Sequence, residues 1–421
     1  MGRTRSTMWA RAARVTTSTH VVREGVAIAA VVTLANVSAY GLNIIAARRL
    51  GPAGFGALAS LLGLIVIGYV ASTSVQTVTT RRVVQARLAA RPSESGRLAL
   101  MAIVASIAIG IVAVAAARPL QAFLHLPSPT PVALLAATLV PLTWTGYVLG
   151  LAQGEEDFGL LAVLLLLTAG GRLGGAIAGV LATPTLIGVT AFMAVGTSLS
   201  AVAATFMVRS GVGRPRRPAV GVRETAHAVH SMLAFLVLSN LDLLLARHFL
   251  SADQAGKYGV GSVITKVAFW LPQFVVVLAL PRMSDLARRE STLRISVVLV
   301  AASGVLVTLG VAATGGLAVL LVGGHGYSGL DGYAWMFALL GSCFSLAQLL
   351  LFGRLARRDR WAVLGLWAAV GVESLVVAWR AHGSPVEVVT AALATTGLLL
   401  LFALAFERGQ QRTGSVRLPL S

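Results

Sequence analysis

The chain carries long apolar runs along nearly its whole length, and these runs constrain its fold more than any other feature. A helix needs about 20 apolar residues to cross a hydrocarbon core about 30 Å thick. Because backbone polar groups inside a bilayer must be satisfied within their own segment, such runs form helices. The sequence predicts twelve membrane-spanning helices, at 26–47, 55–78, 98–117, 131–152, 158–182, 185–208, 229–249, 258–281, 295–321, 333–353, 361–379 and 386–406.

The composition agrees with a chain whose surface faces lipid. Hydrophobic residues make up 57% of the 421 residues, and charged residues only 12%. A soluble domain carries about 25% charged residues. The sequence therefore predicts an all-α integral membrane protein, and its first apolar run is interpreted as a first transmembrane helix rather than a cleaved signal peptide.

The net charge of +19 would indicate a nucleic-acid partner in a soluble protein. Here the basic residues lie between the apolar runs, where they set topology and contact lipid headgroups, so no nucleic-acid partner is predicted. With a cytoplasmic N-terminus, 26 of the 34 Lys and Arg residues fall in inner segments and six in outer segments. Both termini are therefore predicted to be cytoplasmic.

The longest inner connection divides the predicted spans into six and six. The predicted organisation is a cytoplasmic Arg-rich segment at 1–25, a six-helix lobe at 26–208, a linker at 209–228, a second lobe at 229–406 and a tail at 407–421. The halves look like repeats: residues 47–50 (ARRL) and 56–58 (GAL) correspond to 246–249 (ARHF) and 256–258 (GKY). Such repeats predict a substrate site between the lobes.

Several kinds of site are missing from the sequence. It has no phosphate-binding G-x-x-x-x-G-K-[ST] motif, no His, Cys, Asp or Glu cluster with metal-ligand spacing, and a single cysteine, Cys343. The first outer loop, 48–54, has no carboxylate of the kind that membrane glycosyltransferases use. We therefore expect no enzyme activity, no cofactor and no metal site.

Charged residues within the spans are the main candidates for function, because a charge at a helix centre costs about 2.5–3.5 kcal/mol to insert. Arg172 lies in span five among glycines, Asp242 in span seven, Lys266 in span eight and Glu373 in span eleven. Arg172 and Lys266 are interpreted as a cationic cavity for an anionic substrate; the alternative is an internal Asp242–Lys266 ion pair. Asp242 and Glu373 are candidates for coupling transport to H⁺ or Na⁺.

Polar stripes follow the helical repeat in other spans, and lipid would be a costly environment for them. They are interpreted as cavity lining, with helix-to-helix hydrogen bonding as the alternative. The residues concerned are Asn36, Tyr40 and Asn43 in span one; Tyr69, Thr73, Gln76 and Thr80 in span two; Asn240 in span seven; and Ser262, in line with Lys266, in span eight. Basic residues at predicted outer helix ends, Arg48, Arg49 and Arg247, either snorkel to headgroups or line an outer gate.

Several short segments, in order along the chain, resemble those of one transporter family. They are residues 46–52 (AARRLGP) with Phe55-Gly56, 150–158 (GLAQGEEDF), 240–242 (NLD), 250–258 (LSADQAGKY), 281–284 (PRMS) and 324–327 (GHGY). Together they resemble the Wzx-type polysaccharide flippases of the multidrug/oligosaccharidyl-lipid/polysaccharide exporter (MOP) superfamily. The turn at 51–54 departs from the family pattern, because it lacks the acidic residue often found there.

The resemblance implies a twelve-helix, two-lobed, V-shaped bundle of the MATE- and MurJ-like kind. Such a protein would move an undecaprenyl-pyrophosphate-linked oligosaccharide across a bacterial cytoplasmic membrane by alternating access. Implied partners are the lipid-linked glycan, membrane lipids, H⁺ or Na⁺, and the polymerase and glycosyltransferases of polysaccharide biosynthesis. Three alternatives stay open: a multidrug or cation antiporter of the same superfamily, a membrane enzyme of cell-envelope polysaccharide synthesis, and a non-transporting scaffold.

Overall fold

A computed structural model describes residues 3–89, 95–208, 222–272, 289–355 and 360–414. Within these ranges the chain is helical. The α-helices are α1 Arg3–Leu88, α2 Ser95–Ala115, α3 Ala117–Phe123, α4 Thr130–Gly154, α5 Phe158–Ala182, α6 Leu186–Val208, α7 Val222–Phe249, α8 Ala252–Trp270, α9 Arg289–Val322, α10 Ala334–Leu355, α11 Arg360–Trp379 and α12 Pro385–Gly414. Two short 3₁₀ helices, His325–Tyr327 and Asp331–Tyr333, connect α9 to α10.

Helix α1 consists of two helices that meet at Gly51. Gly51 has φ 67° and ψ 176°, a conformation that only glycine adopts readily. Pro52 follows it, where a proline can start a helix because its missing N–H would have no partner in the first turn. The apolar stretch Ala27–Leu88 has 62 residues and is therefore about 90 Å long, enough to cross a bilayer twice. The break at Gly51 separates the first two predicted spans.

The described residues contain ten helices that are long and apolar enough to cross a membrane, with Ala27–Leu88 counted once. Helix α8 corresponds to the start of predicted span eight, 258–281, whose last residues lie outside the described ranges. Large apolar side chains remain exposed on α2 and α9, including Ile107, Ile111, Leu306 and Leu309, as expected of helices that face lipid. The predicted all-α membrane fold class is confirmed.

The chain forms two compact units. Unit 1 comprises residues 1–42, 71–117 and 130–220, and unit 2 comprises residues 43–70, 118–129 and 221–421. Two segments of the first sequence half, 43–70 and 118–129, thus belong to the same unit as the second half. The predicted lobes at 26–208 and 229–406 stay a prediction, and most of the predicted linker, 209–221, lies outside the described residues.

Unit 1 is organised around α4, whose side chains Tyr147, Val148 and Leu149 are buried against α2 and α5. The Tyr147 hydroxyl donates a hydrogen bond of 3.1 Å to the Ser95 carbonyl at the start of α2. Unit 2 buries larger aromatic side chains. Tyr258 packs edge-on against Phe337, with ring centroids 4.9 Å apart, and this pair ties α8 to α10.

Glycines bring α5 and α6 into close contact within unit 1. A Cβ atom at Gly171 would lie 2.6 Å from the Gly196 carbonyl oxygen, and a Cβ at Gly175 would meet the Phe192 carbonyl. Small residues at such seams let two helix backbones approach each other, which is how membrane helices gain packing energy. The neighbouring glycines Gly170 and Gly174 have nothing within 4 Å of the same position.

This difference gives a matched pair of substitutions. We expect Gly171→Ala to destabilise the protein by about 1–3 kcal/mol, because the added methyl group overpacks the α5–α6 seam. Gly170→Ala should leave stability unchanged or raise it slightly, because alanine favours helix more than glycine does. Thermal unfolding of the two purified variants in detergent measures the difference, and equal melting temperatures would contradict the seam.

Candidate functional site

A buried carboxylate forms the centre of the candidate site in unit 2. Asp242 lies on α7, seven residues before its end, and is 3% exposed. The Tyr258 hydroxyl, on α8, donates a hydrogen bond of 2.8 Å to Asp242 Oδ2. Tyr258 is itself completely buried, so this bond supplies part of the stabilisation that water gives an exposed carboxylate.

Lys266 lies on the same helix as Tyr258 and interacts electrostatically with Asp242. Tyr258, Ser262 and Lys266 are four residues apart on α8, so their side chains share one face. Whether Lys266 pairs with Asp242 or belongs to a cationic cavity stays a prediction. Tyr258 was not predicted as a site residue, although its spacing from Ser262 and Lys266 would have placed it on their face.

Glu373 brings a third helix, α11, to the same group. Its side chain is fully buried, and neither carboxyl oxygen has a hydrogen-bond partner among the described residues. Glu373 interacts electrostatically with Asp242. We refer to Asp242, Tyr258, Lys266 and Glu373 as the buried charged cluster; Lys266 is half-buried and the other three are buried.

Two further buried polar side chains lie in the same unit. The Asn240 amide nitrogen donates a 2.9 Å hydrogen bond to the Leu236 carbonyl, while its Oδ1 is buried without a partner in the described part of the chain. The Asn240 Oδ1 faces Gly63 of α1, 3.5 Å from the position of an added Cβ. Thr396 on α12 is also fully buried, with no partner for its hydroxyl among described residues. Nothing in the sequence distinguished Thr396 from other threonines in apolar runs.

The structure assigns the two cations predicted to share a cavity to different units. Arg172 lies half-buried on α5 in unit 1, and Lys266 lies in unit 2. The glycines on either side of Arg172 differ in their surroundings. Gly171 and Gly175 contact α6, whereas Gly170 and Gly174 have open space beside them. The role of Arg172 in binding substrate stays a prediction.

The polar stripe on the second part of α1 is used in part for helix-to-helix hydrogen bonds. The Gln76 side-chain amide donates a 2.9 Å hydrogen bond to the Oε1 of Gln153 on α4. The Thr80 hydroxyl donates to the Gly150 carbonyl, at 3.2 Å. Gln153 was not predicted as a site residue, although it lies in the family-like segment 150–158. The stripe divides between the units, with Tyr69 in unit 2 and Thr73 in unit 1.

Two of the three basic residues at the predicted outer end contact backbone carbonyls. The Arg48 guanidinium donates to Leu321 O at 2.9 Å, and Arg247 donates to Leu124 O at 2.9 Å. Arg49 is exposed. Of the first-span asparagines, Asn36 is half-buried in unit 1 and Asn43 half-buried in unit 2. Among described residues, no group of three or more His, Cys, Asp or Glu side chains is placed to hold a metal ion.

Comparison with known proteins gives matches to solved structures only. No protein-family model matches the chain, and no curated protein matches it. The structure is similar to the inward-facing conformation of a multidrug resistance MATE family transporter of the MOP superfamily, with a TM-score of 0.67 and 11% identity over 90% of this chain and 95% of that one. It is equally similar to the lipid II flippase MurJ in its inward closed conformation, with a TM-score of 0.67 and 9% identity over 90% of this chain and 87% of that one.

A third match is the eukaryotic MATE transporter AtDTX14, with a TM-score of 0.62 and 12% identity over 91% of this chain and 96% of that one. At these identities the similarity is one of fold. The chain therefore has the fold of MATE and MurJ transporters over nearly its whole length.

The hydrogen bond between Tyr258 and Asp242 can be tested directly. We expect Tyr258→Phe to destabilise the protein by about 1.5–3 kcal/mol, because it removes a donor from a buried carboxylate. Tyr333→Phe is the matched control, because Tyr333 is only half-buried and packs against the same ring, that of Phe337. Thermal unfolding in detergent compares them, and equal losses would show that the hydroxyl at Tyr258 has no special role.

Proposed function

We propose that this chain is a transporter of the MOP superfamily, and that it moves a lipid-linked oligosaccharide across the membrane by alternating access. Two independent observations support a transporter. The fold matches MATE transporters and a lipid II flippase over 90% of the chain, and the sequence carries a series of Wzx-like segments in the family order. Neither observation selects the glycan substrate, which has to be argued from the charges.

The separation of charge between the two units carries the substrate assignment. Within the described part of unit 1, Glu155, Glu156 and Asp157 lie in the turn between α4 and α5, and Glu24 lies on α1 before the first predicted span. Arg172 lies within a span of the same unit, where a charge is costly and marks a substrate path. A guanidinium binds phosphate through two parallel hydrogen bonds. Lipid-linked sugars carry phosphate or pyrophosphate at their junction, so an arginine within a span suits them.

The buried charged cluster of unit 2 suits ion coupling. Asp242 and Glu373 lie within spans and interact with each other, so binding of H⁺ or Na⁺ at either one lowers the cost of burying both. An ion stabilises whichever conformation binds it more tightly, and this difference in affinity can drive the transport cycle. Lys266 balances part of the carboxylate charge when no ion is bound.

The second candidate function is export of cationic drugs by an antiporter of the same superfamily. The buried carboxylates Asp242 and Glu373 favour it, because they could bind a cationic substrate directly. Two of the similar structures described above are MATE transporters. In this reading the carboxylates of unit 2 bind the drug, and Arg172 has no part in substrate binding.

We assign the protein to the bacterial cytoplasmic membrane with both termini inside. The assignment rests on the unequal distribution of Lys and Arg between the loops, 26 on the predicted inner side against six on the outer. Its partners would be the glycosyltransferases that supply the lipid-linked glycan on the inner side and a polymerase that uses it on the outer side.

Export of lipid-linked glycan tests the role of Arg172. We expect Arg172→Ala to lower the rate of translocation of a fluorescent lipid-linked oligosaccharide in proteoliposomes about tenfold, the loss that follows from removing one charge-assisted phosphate contact. Arg172→Lys should retain part of the rate, because a lysine keeps the positive charge but cannot form the two parallel hydrogen bonds of a guanidinium.

The matched control is Arg97→Ala, at an exposed arginine near the start of α2 in the same unit. It should translocate like the unchanged protein. Ethidium efflux from the same vesicles distinguishes the second candidate. Ethidium efflux without glycan translocation would replace the flippase by the antiporter, and full glycan translocation by Arg172→Ala would remove the anionic site.

Ion coupling gives a prediction for Glu373. We expect Glu373→Gln to fold as well as the unchanged protein, because it removes a buried ionisable group at constant size. The variant should lose the acceleration of transport by an imposed H⁺ or Na⁺ gradient. Asp253→Asn, at an exposed carboxylate of unit 2, should keep it. A Glu373→Gln variant that responds to the gradient like the unchanged protein would move coupling away from this cluster.

A further inference from the structure

Arg48 caps the end of a helix from the other half of the sequence. It stands three residues before the break in α1, and its guanidinium donates to the carbonyls of Leu321 at 2.9 Å and Leu320 at 3.3 Å. These carbonyls lie in the last turn of α9, where a helix carries partial negative charge, and that of Leu320 also accepts a hydrogen bond of 3.0 Å from the Gly324 N–H. A cation at that position is stabilising.

Tyr327 adds a hydrogen bond in the opposite direction, from the segment after α9 to the first part of α1. Its hydroxyl donates a 2.9 Å hydrogen bond to the Ala47 carbonyl, and Tyr327 is 1% exposed. Burial raises the pKa of the Tyr327 phenol, so the group keeps its proton and remains a donor. The end of the first part of α1 and the end of α9 are therefore joined by hydrogen bonds in both directions.

Arg247 makes the corresponding contact from α7. Its Nε donates to Leu124 O at 2.9 Å, and its Nη2 donates to His125 O at 3.4 Å. Leu124 and His125 directly follow α3, so this arginine also caps a helix end. The neighbouring His248 adds a contact of 2.8 Å between its Nδ1 and Phe123 O, and its ring stacks on Phe123.

The two contacts are related by the internal repeat. Residues 47–50 correspond to 246–249, so Arg48 and Arg247 are equivalent. Arg48, from the first half, caps a helix of the second half, and Arg247, from the second half, caps a helix of the first half. This exchange is the pattern of a two-fold interface, in which residue i contacts j and j contacts i.

Gly56 and Gly256 lie at the two-fold axis that relates the two contacts. They are equivalent in the repeat, and they contact each other, since a Cβ at Gly56 would lie 2.8 Å from the Gly256 backbone nitrogen. Equivalent residues touch each other only where the symmetry axis passes. All of these residues belong to unit 2, which includes segments 43–70 and 118–129 of the first half.

We propose that the Arg48 and Arg247 caps are the two parts of one latch, which holds the predicted outer ends of the two sequence halves together and opens once per transport cycle. The proposal rests on the proposed function for the need to open. Backbone carbonyls are neutral acceptors, so a guanidinium that leaves them can return to water or headgroups without abandoning a buried counter-charge. Each cap shifts the closed–open equilibrium about tenfold, which is strong enough to close a gate and weak enough to reverse.

To test whether the two caps act together, the exposure of a buried cysteine at one cap is measured after the arginine of the other cap is removed. We call an increase in this exposure cross-exposure. In a Cys343→Ser background, Ala47→Cys reports on the Arg48 cap and Leu124→Cys reports on the Arg247 cap, because both side chains are at most 1% exposed. The readout is the labelling rate with a membrane-impermeant maleimide. Each arginine is removed and the reporter at the other cap is measured, so that local loosening does not affect the result.

We expect Arg247→Ala to raise labelling of Cys at 47 about tenfold, and Arg48→Ala to raise labelling of Cys at 124 by a similar factor. Arg118→Ala, at an exposed arginine near the start of α3, should change neither rate. If each substitution exposes only its own cap, the two contacts are independent helix caps and the latch is wrong.

Two further measurements keep the result interpretable. Size-exclusion chromatography shows whether each alanine variant folds, and the lysine variant replaces one that does not. The lysine keeps the positive charge but reaches only one carbonyl, so cross-exposure should persist at lower amplitude. Translocation is assayed in the same preparations. Cross-exposure in a protein that moves no substrate would refute the proposed function and leave the latch standing, whereas active transport without cross-exposure overturns the latch alone.

Discussion

Polar groups inside membrane-spanning helices lose water, and the fold has to replace what water supplied. In unit 2 this constraint brings three helices together around Asp242: Tyr258 on α8 donates a hydrogen bond, Lys266 on the same helix supplies charge, and Glu373 on α11 completes the cluster. The replacement is incomplete, because Glu373 has no hydrogen bond within the described part of the chain. An incompletely satisfied carboxyl is costly in a purely structural role. It suits a role in which the carboxyl takes up and releases an ion.

The same constraint acts at the ends of helices, where carbonyls lack partners within the helix. The chain uses arginine there, at Arg48 and Arg247, and both donate to carbonyls of a helix from the other sequence half. Arginine residues that sequence reasoning would treat as headgroup contacts thus hold two segments together. The two environments differ, because Arg247 is buried and Arg48 is exposed, so the Arg247 cap is better shielded from water.

Features that depend on a local sequence pattern, such as the helices, could be predicted from the sequence. Contacts between residues that are far apart in the sequence could not. Apolar length predicted the helices and the separation of the first two spans, which the structure places at Gly51-Pro52, because both depend on local chemistry. The polar stripe at Gln76 and Thr80 was found by spacing, but its partner Gln153 lies 77 residues from Gln76 in sequence. Spacing identifies a face of a helix and does not identify what that face meets. The grouping of residues 43–70 and 118–129 with the second half likewise depends on contacts between residues far apart in sequence.

The buried charged cluster and the arginine caps differ in what breaking them costs, and this difference bears on the proposed transport cycle. Separating Asp242 from its partners would leave a charge in a medium of low dielectric, a cost that only a bound ion or a conformational change bringing water can offset. Releasing Arg48 from Leu321 leaves a cation at the membrane edge, where water receives it. In the proposed cycle, ion binding in the interior would set the direction, while the contacts at the predicted outer end would open and close at small cost. The sequence places both devices on α7, with Asp242 and Arg247 five residues apart, so a shift of this one helix would be felt at both.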